Sequence, residues 1–205
     1  MSAMSPRHLL PVGTDALLIE CHDLDDVRSL SAELVRRGVD AVDMIPAALT
    51  ILLDGLRNPT EVAWCADWVA PATAPHAKLG RVVEVPTTYD GADLDRVAKL
   101  WGMTRSEAIR THCSLQFTVA FCGFSPGFAY CAGLPPELAV PRLSEPRSRL
   151  AAGSVAVADC YTAVYPRPSP GGWQILGHTD LPMWRESDAE PATLSPGTQV
   201  RFVDA

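Results

Sequence analysis

The sequence predicts an α+β protein in two parts, a small α+β sandwich over residues 1–75 and a β-rich domain over residues 76–205. Three observations predict it. Ahead of residue 71, strand-like and helix-like apolar runs follow one another in the order β-α-β-β-α. The segment Pro71-Ala72-Thr73-Ala74-Pro75-His76 carries small residues and two prolines that break both periods, as a linker does. From Phe117 onward, short β-rich runs alternate with Pro/Gly turns, the pattern of a sandwich or barrel.

The elements follow in order. Asp15-Ala16-Leu17-Leu18-Ile19-Glu20 reads as a strand. Asp23 is a helix N-cap, Leu24, Val27, Leu30, Leu34 and Val35 recur at helical spacing, and Gly38 stands where a C′ glycine belongs. Residues 39–44 and 49–53 read as two strands around Pro46. Asn58-Pro59-Thr60-Glu61 is a second helix start, with asparagine at the N-cap, proline at N1 and glutamate at N3, and the helix runs on through Val62-Ala63-Trp64 and Trp68-Val69. This order predicts a sandwich of ferredoxin-like type. Beyond the linker, residues 81–85 are strand-like, residues 93–100 form a short helix ending near Gly102, and Thr104-Arg105-Ser106-Glu107 is a capping box opening another. Strands are then expected over residues 117–121, 154–158, 163–165, 173–176 and 199–203.

Composition excludes several function classes. With 205 residues, 47% of them hydrophobic and 20% charged, the chain is long enough to bury a real core. A net charge of −7 without any basic run argues against nucleic acid and against docking on anionic membranes. No apolar stretch approaches the roughly 20 residues a spanning helix needs, and residues 1–13 lack the apolar region of a signal peptide. The six cysteines form no C-x-x-C pair and most lie inside apolar runs, which reads as reduced, buried thiols in a cytoplasmic protein.

Two loops carry the chemistry. Gly123-Phe124-Ser125-Pro126-Gly127 fits the G-x-S-x-G nucleophile elbow. That elbow needs the N–H of the next residue for its oxyanion hole, and here the next residue is Pro126, which has none. The segment reads instead as a rigid turn, with proline fixing one dihedral and Gly127 supplying the positive φ of a type II turn. Phe124, Phe128 and Tyr130 around it are either pocket walls or core. Ser169-Pro170-Gly171-Gly172-Trp173-Gln174 repeats the chemistry, either as an anion-binding nest of backbone N–H groups with Gln174 at its mouth or as a plain hairpin turn. His112 is the leading general acid or base, with His178 behind it. Arg142, Arg147 and Arg149 are either an anion clamp or a solvated loop. No H-E-x-x-H cluster, no P-loop and no G-x-G-x-x-G occurs, so neither a metal site nor a standard nucleotide cradle is expected in this chain.

Taken in order, these motifs resemble a known family. The series is Phe121-Cys122-Gly123-Phe124-Ser125-Pro126-Gly127-Phe128-Ala129-Tyr130, Pro141-Arg142-Leu143, Pro146-Arg147, Ala152-Gly153-Ser154-Val155, Tyr165-Pro166, Ser169-Pro170-Gly171-Gly172-Trp173-Gln174-Ile175-Leu176-Gly177 and Pro196-Gly197-Thr198-Gln199-Val200-Arg201-Phe202. It is similar to allophanate hydrolase subunit 1, a family that includes the 5-oxoprolinase B subunit and a sporulation-kinase inhibitor. The resemblance is clear over residues 83–202 and covers the first part only in length and element order. It implies a cyclophilin-like β-barrel after the small domain. It also implies a homologous subunit 2 as partner, the pair being similar to the carboxyltransferase domain of urea carboxylase. In the 5-oxoprolinase members the pair works with a third, lactam-utilisation subunit to open a lactam using ATP, so that an ATP site shared with or located on the partners is expected. The alternatives are an allophanate or urea-pathway subunit and a histidine-kinase inhibitor without turnover. Within this reading His112 and Gln174 are expected to be catalytic, with Gln174 and the Gly171-Gly172 backbone holding substrate oxygens. Phe128, Tyr130 and Ser169 are expected to line the substrate site and Arg149 to clamp an anion. Two departures stand out: Cys131-Ala132-Gly133 where relatives often carry Leu-Gly-Gly, and Ala158-Asp159-Cys160-Tyr161-Thr162 in place of a glycine-rich stretch with glutamine.

Overall fold

In a computed structural model of the chain, the structure describes residues 5–70 and 80–205. The predicted linker at residues 71–76 lies outside the described residues. Contacts divide the chain into two units, Met1–Lys78 and Leu79–Ala205.

In the first unit β1 (Leu9–Val12) and β2 (Ala16–Glu20) form a hairpin, followed by α1 (Leu24–Arg37), β3 (Asp43–Pro46) and β4 (Thr50–Asp54). The sheet order is β1-β2-β4-β3, antiparallel throughout. Both helix-end signals read from sequence are present. The Asp23 carboxylate accepts the Asp26 backbone N–H at 2.8 Å, and Gly38 closes the helix at φ 64°. Leu17, Ile19, Val27, Leu30, Leu34, Ile51 and Leu53 build the core. Arg7, which is buried, pairs with the Asp26 carboxylate and donates to the Cys65 carbonyl at 2.9 Å, so the buried charge is matched on every side.

Three expectations are corrected here. β1 is an additional edge strand whose residues are mostly exposed, so it shows no in/out alternation to read. β3 starts later than expected and takes in Pro46, which an edge strand tolerates. The segment Pro59–Ala66 is a 3-10 helix and not an α-helix, although Asn58 caps it from Oδ1 to the Thr60 N–H at 3.2 Å. Its buried apolar residues, Val62 and Cys65, stand three apart, the spacing that a three-residue turn stacks on one side.

The second unit holds β5 (Val82–Thr87), α2 (Leu94–Leu100), α3 (Arg105–Ser114), β6 (Phe117–Cys122), β7 (Ala129–Ala132), β8 (Arg147–Leu150), β9 (Ser154–Ala158), β10 (Tyr161–Val164), β11 (Ser169–Gly171), β12 (Gln174–His178) and β13 (Gln199–Asp204). Seven strands pair in the order β12-β9-β10-β7-β6-β13-β5, with β13 and β5 parallel. The two ends meet. Thr88, just past β5, bridges His178 at the end of β12 through N–H···O bonds of 2.8 and 2.9 Å, so the sheet is a nearly closed barrel. β8 and β11 form a separate two-stranded ribbon. The sequence indicates no strand over β7, β8 or β11; Ser169-Pro170-Gly171 and the arginine-rich segment are strands only by virtue of pairing with each other.

The barrel sheet has two differently built faces. Val85, Phe117, Val119, Cys131, Val155, Val157, Val164, Leu176, Val200 and Phe202, drawn from all seven strands, join one cluster with Leu94, Val97 and Ala108 of α2 and α3. Only a curled sheet brings all its strands into one cluster, so this is the barrel interior. Alternating residues of β9, β10 and β12 (Ala156, Ala158, Ala163 and Ile175) face the other way. They pack against Phe128, Tyr165 and Trp173, with Tyr130 and Tyr161 at the margin. The six cysteines are free thiols, with Cys21, Cys65 and Cys131 buried, and no described helix is long and apolar enough to cross a membrane.

Candidate functional site

The Ser125-Pro126-Gly127-Phe128 turn is the type II turn its sequence predicts. Phe128 N–H donates to Ser125 O at 2.9 Å and Gly127 sits at φ 81°. Phe124 ahead of it is also left-handed, at φ 67°, a conformation that side chains other than glycine rarely adopt. The result is an aromatic ring 60% exposed to solvent above two buried ones. Its centroid lies 5.2 Å from Phe128 and 6.3 Å from Tyr165. Below, Phe128 meets Tyr130, Tyr165 and Trp173 at 5.0, 5.2 and 5.6 Å in edge-to-face packing. Phe121 stacks on Tyr130 at 4.4 Å.

The second loop lies against this cluster. Ser169 pairs with Leu150, whose side chain is part of the aromatic core. A Cβ on Gly171 would lie 2.3 Å from the Tyr165 hydroxyl, so any larger residue there would have to displace the Tyr165 side chain. The loop is tied down at several points. Leu143 N–H donates to Gly172 O at 2.7 Å, and Gln174 Nε2 donates to Pro141 O at 2.7 Å. Asp93, buried at the start of α2, accepts both Arg147 guanidinium N–H groups at 2.9 and 2.8 Å and the Ile175 backbone N–H at 2.7 Å. One carboxylate thus joins α2, β8 and the strand that follows the loop. Asp93→Ala removes three charge-assisted bonds and is expected to lower the unfolding free energy by about 2 kcal/mol. Asp93→Asn, which keeps an acceptor for Ile175, should lose less. Urea midpoints of both variants within about 0.5 kcal/mol of the parent would show that the clamp holds nothing.

Several placements differ from the sequence reading. The nest expected at Ser169-Pro170-Gly171 is a strand instead, with its backbone turned to β8. Phe128 is only 2% exposed, so it is core beneath the site and not a pocket wall, while Tyr130 is half-buried at the margin. Arg149 alternates with Leu150 on β8, and since Leu150 packs into the aromatic cluster, Arg149 points away from it. Gln174 is fully buried; its amide nitrogen is bound to Pro141 while Oε1 has no partner. Gly171 lies at the cluster against Tyr165, while Gly172 faces the Leu143–Pro146 segment.

His112 is the largest departure. It is 0% exposed, inside the barrel, with its ring 4.6 Å from Phe202 and 5.2 Å from Phe117. Phe128, Trp173 and Ile175 are on the other face of the sheet. The structure therefore does not bring His112 together with the two loops. Its hydrogen bonds form an ordered series. Thr162 Oγ1 donates to Ala156 O at 3.1 Å and so accepts from His112 Nε2–H at 3.2 Å. Nδ1 is then the acceptor for the Tyr89 hydroxyl at 2.7 Å, and Cys113 Sγ donates to Tyr89 at 3.4 Å. Burial lowers the imidazole pKa to about 3, which keeps the ring neutral. A cavity of about 390 Å³ lies beyond this network, between α3 and β13, away from the two loops. His178, the second histidine singled out in sequence, is exposed and pairs with Asp90 at 2.9 Å.

Among the described residues of this unit, the buried side-chain oxygens without a hydrogen-bond partner are Ser125 Oγ, Ser169 Oγ and Gln174 Oε1. All three come from the two loops. Buried polar atoms are ordinarily satisfied, so their concentration here marks the loops as the place where further polar groups are received. Sequence reading missed Asp93, Tyr161 and Tyr165 as parts of this region; Tyr165-Pro166 was in the motif series, but nothing in its spacing indicated a role.

Comparison with known proteins agrees with the motif series. The chain is 39% identical over 181 residues to the 5-oxoprolinase B subunit of Escherichia coli O157:H7, an alignment spanning 83% of this chain and 82% of that one. It is 31% identical to TTHA0988, whose crystal structure superposes with a TM-score of 0.73 over 94% of this chain and 40% of that one. The K. lactis urea amidolyase, 18% identical, shares the fold at a TM-score of 0.76 over 100% of this chain and 15% of its own. A family model, carboxyltransferase domain, subdomain C and D, matches residues 7–194, and the chain belongs to that family.

Proposed function

We propose that this chain is the B subunit of a heteromeric ATP-dependent 5-oxoprolinase, which opens 5-oxoproline to glutamate together with a homologous subunit 2 and a third, lactam-utilisation subunit. The observation that carries the reading is the 39% identity to a 5-oxoprolinase B subunit across 82% of that protein's length. The loops support it. They offer aromatic surface, hydroxyls and an amide oxygen, with Arg142 exposed on the segment they hold, which suit one small amide-bearing anion. The sequence carries neither a P-loop nor a G-x-G-x-x-G to cradle a triphosphate. ATP is therefore assigned to the partners or to a site shared with them.

The same reading describes the first unit as ferredoxin-like and the second as cyclophilin-like, and places the complex in the cytoplasm. Support for the fold description comes from the β2-α1-β3-β4 succession and from the nearly closed seven-stranded sheet. Likeness to the urea amidolyase supports a common fold and leaves urea or allophanate as the second substrate class to test.

The test is reconstitution. Co-expressed with subunit 2 and the lactam-utilisation subunit, the chain is expected to copurify and to give ATP hydrolysis that depends on 5-oxoproline, with glutamate as product and no activity when it is omitted. A complete complex that turns over urea or allophanate but not 5-oxoproline would select the second class, and one without turnover on any of the three would sink both.

A further inference from the structure

Of the three arginines in the segment between Pro141 and Leu150, two are accounted for. Arg147 is neutralised by Asp93, and Arg149 points away from the aromatic cluster. Arg142 is different. Its guanidinium is exposed and has no ion pair among the described residues. Its backbone is nevertheless held on both sides by the second loop: Pro141 O accepts from Gln174 and Leu143 N–H donates to Gly172, each at 2.7 Å. The two bonds bracket Arg142 next to Trp173.

We propose that Arg142 is the anion anchor of this site, binding the carboxylate of a small planar amide whose ring lies against the exposed rim of the aromatic cluster. The proposal rests on the 5-oxoprolinase reading for the identity of the ligand, and on the geometry for the residue. A guanidinium matches a carboxylate with two parallel N–H···O bonds, and a flat amide ring packs on aromatic surface. The neighbouring phenols register the charge: burial raises the Tyr130 and Tyr165 hydroxyls, and Arg142 opposes that rise in both. Ser125 Oγ, Ser169 Oγ and Gln174 Oε1, which lack partners in the same two loops, are the polar groups left to orient the rest of the ligand.

Two measurements test it. In the reconstituted complex, Arg142→Ala is expected to raise KM for 5-oxoproline by about tenfold or more with little change in kcat, as loss of one charge-assisted pair does. Arg142→Lys should recover part of that loss. For binding without turnover, the full chain is titrated with 5-oxoproline while the Trp173 indole N–H is followed by NMR. A saturable shift is expected in the parent. It should be lost in Arg142→Ala, and 2-pyrrolidinone, the same ring without the carboxylate, should not reproduce it. An unchanged KM in Arg142→Ala, the same KM effect arising from Arg149→Ala instead, no saturable shift in the parent, or an equal response to 2-pyrrolidinone each overturns the anchor. A complex that binds 5-oxoproline through Arg142 without ATP hydrolysis overturns the functional reading and leaves the anchor standing.

Discussion

Lowering the pH from 7 to 5 is expected to cost the protein about 2 kcal/mol of stability through His112 alone. The folded ring stays neutral until about pH 3, whereas in the unfolded chain it takes up a proton near its ordinary value of 6.5. Between those values the unfolded state binds more protons, so stability falls as the pH falls. The contribution is complete above pH 6.5, and the whole gap is worth about 5 kcal/mol by the time pH 3 is reached. Carboxylates whose pKa values are lowered by hydrogen bonds, such as Glu107 at the α3 cap, act in the same direction but at lower pH. The window from pH 7 to 5 therefore lies above the carboxylates, and the chain's other four histidines are common to parent and variant. Guanidinium unfolding of the parent and of His112→Phe across that window measures it. The variant should be less stable at pH 7, because Tyr89 and Thr162 lose their partner, and should show a much flatter pH dependence. Parallel pH profiles for the two proteins would mean that His112 charges in place and that the ordered donor series around it does not hold.

Gly177→Ala is expected to destabilise the protein by about 3 kcal/mol or more, a size reserved for changes that backbone cannot absorb. A Cβ at this position would lie 2.1 Å from the Thr88 carbonyl oxygen and 3.0 Å from the Tyr89 Cα. Both are main-chain atoms, and Thr88 is the residue whose two bonds to His178 close the barrel. The added methyl group and the closure cannot occupy the same space. Tyr89 follows directly and holds His112, so the damage reaches the interior network as well. Denaturant midpoints report the loss, and hydrogen exchange at the His178 amide reports its location. A variant with parental stability and a protected His178 amide would show that the barrel closes without this contact.

Whatever depends on a few consecutive residues was legible in the sequence. Asp23, Gly38 and the Thr104–Glu107 box cap their helices, and Ser125-Pro126-Gly127-Phe128 makes its type II turn, because each needs only dihedral preferences and bonds spanning three to five residues. The exclusion of a serine elbow at Ser125 rests on the same local ground, the missing N–H of Pro126. The two loops were also recognisable as one region from their composition and motif order.

What the tertiary structure alone decided involves partners far along the chain. β8 and β11 are strands only because each meets the other. Asp93 carries no signal of its own until Arg147 and Ile175, 54 and 82 residues away, reach its carboxylate. The same distance effect separates the arginines: three similar residues in one segment become an ion-paired clamp, an outward strand residue and an exposed residue whose flanking backbone the second loop holds. His112 was the most attractive catalytic residue in the sequence because histidine chemistry is defined by side-chain type. Its accessibility is defined by which face of a closed sheet it meets, and the barrel encloses it among Phe117, Phe202 and Tyr89. By itself the sequence determined the class of protein, the helix ends, the rigid turn and the two loops. Only the curl of the sheet, set by long-range pairing and by a glycine against a carbonyl, decided which side chains those loops share.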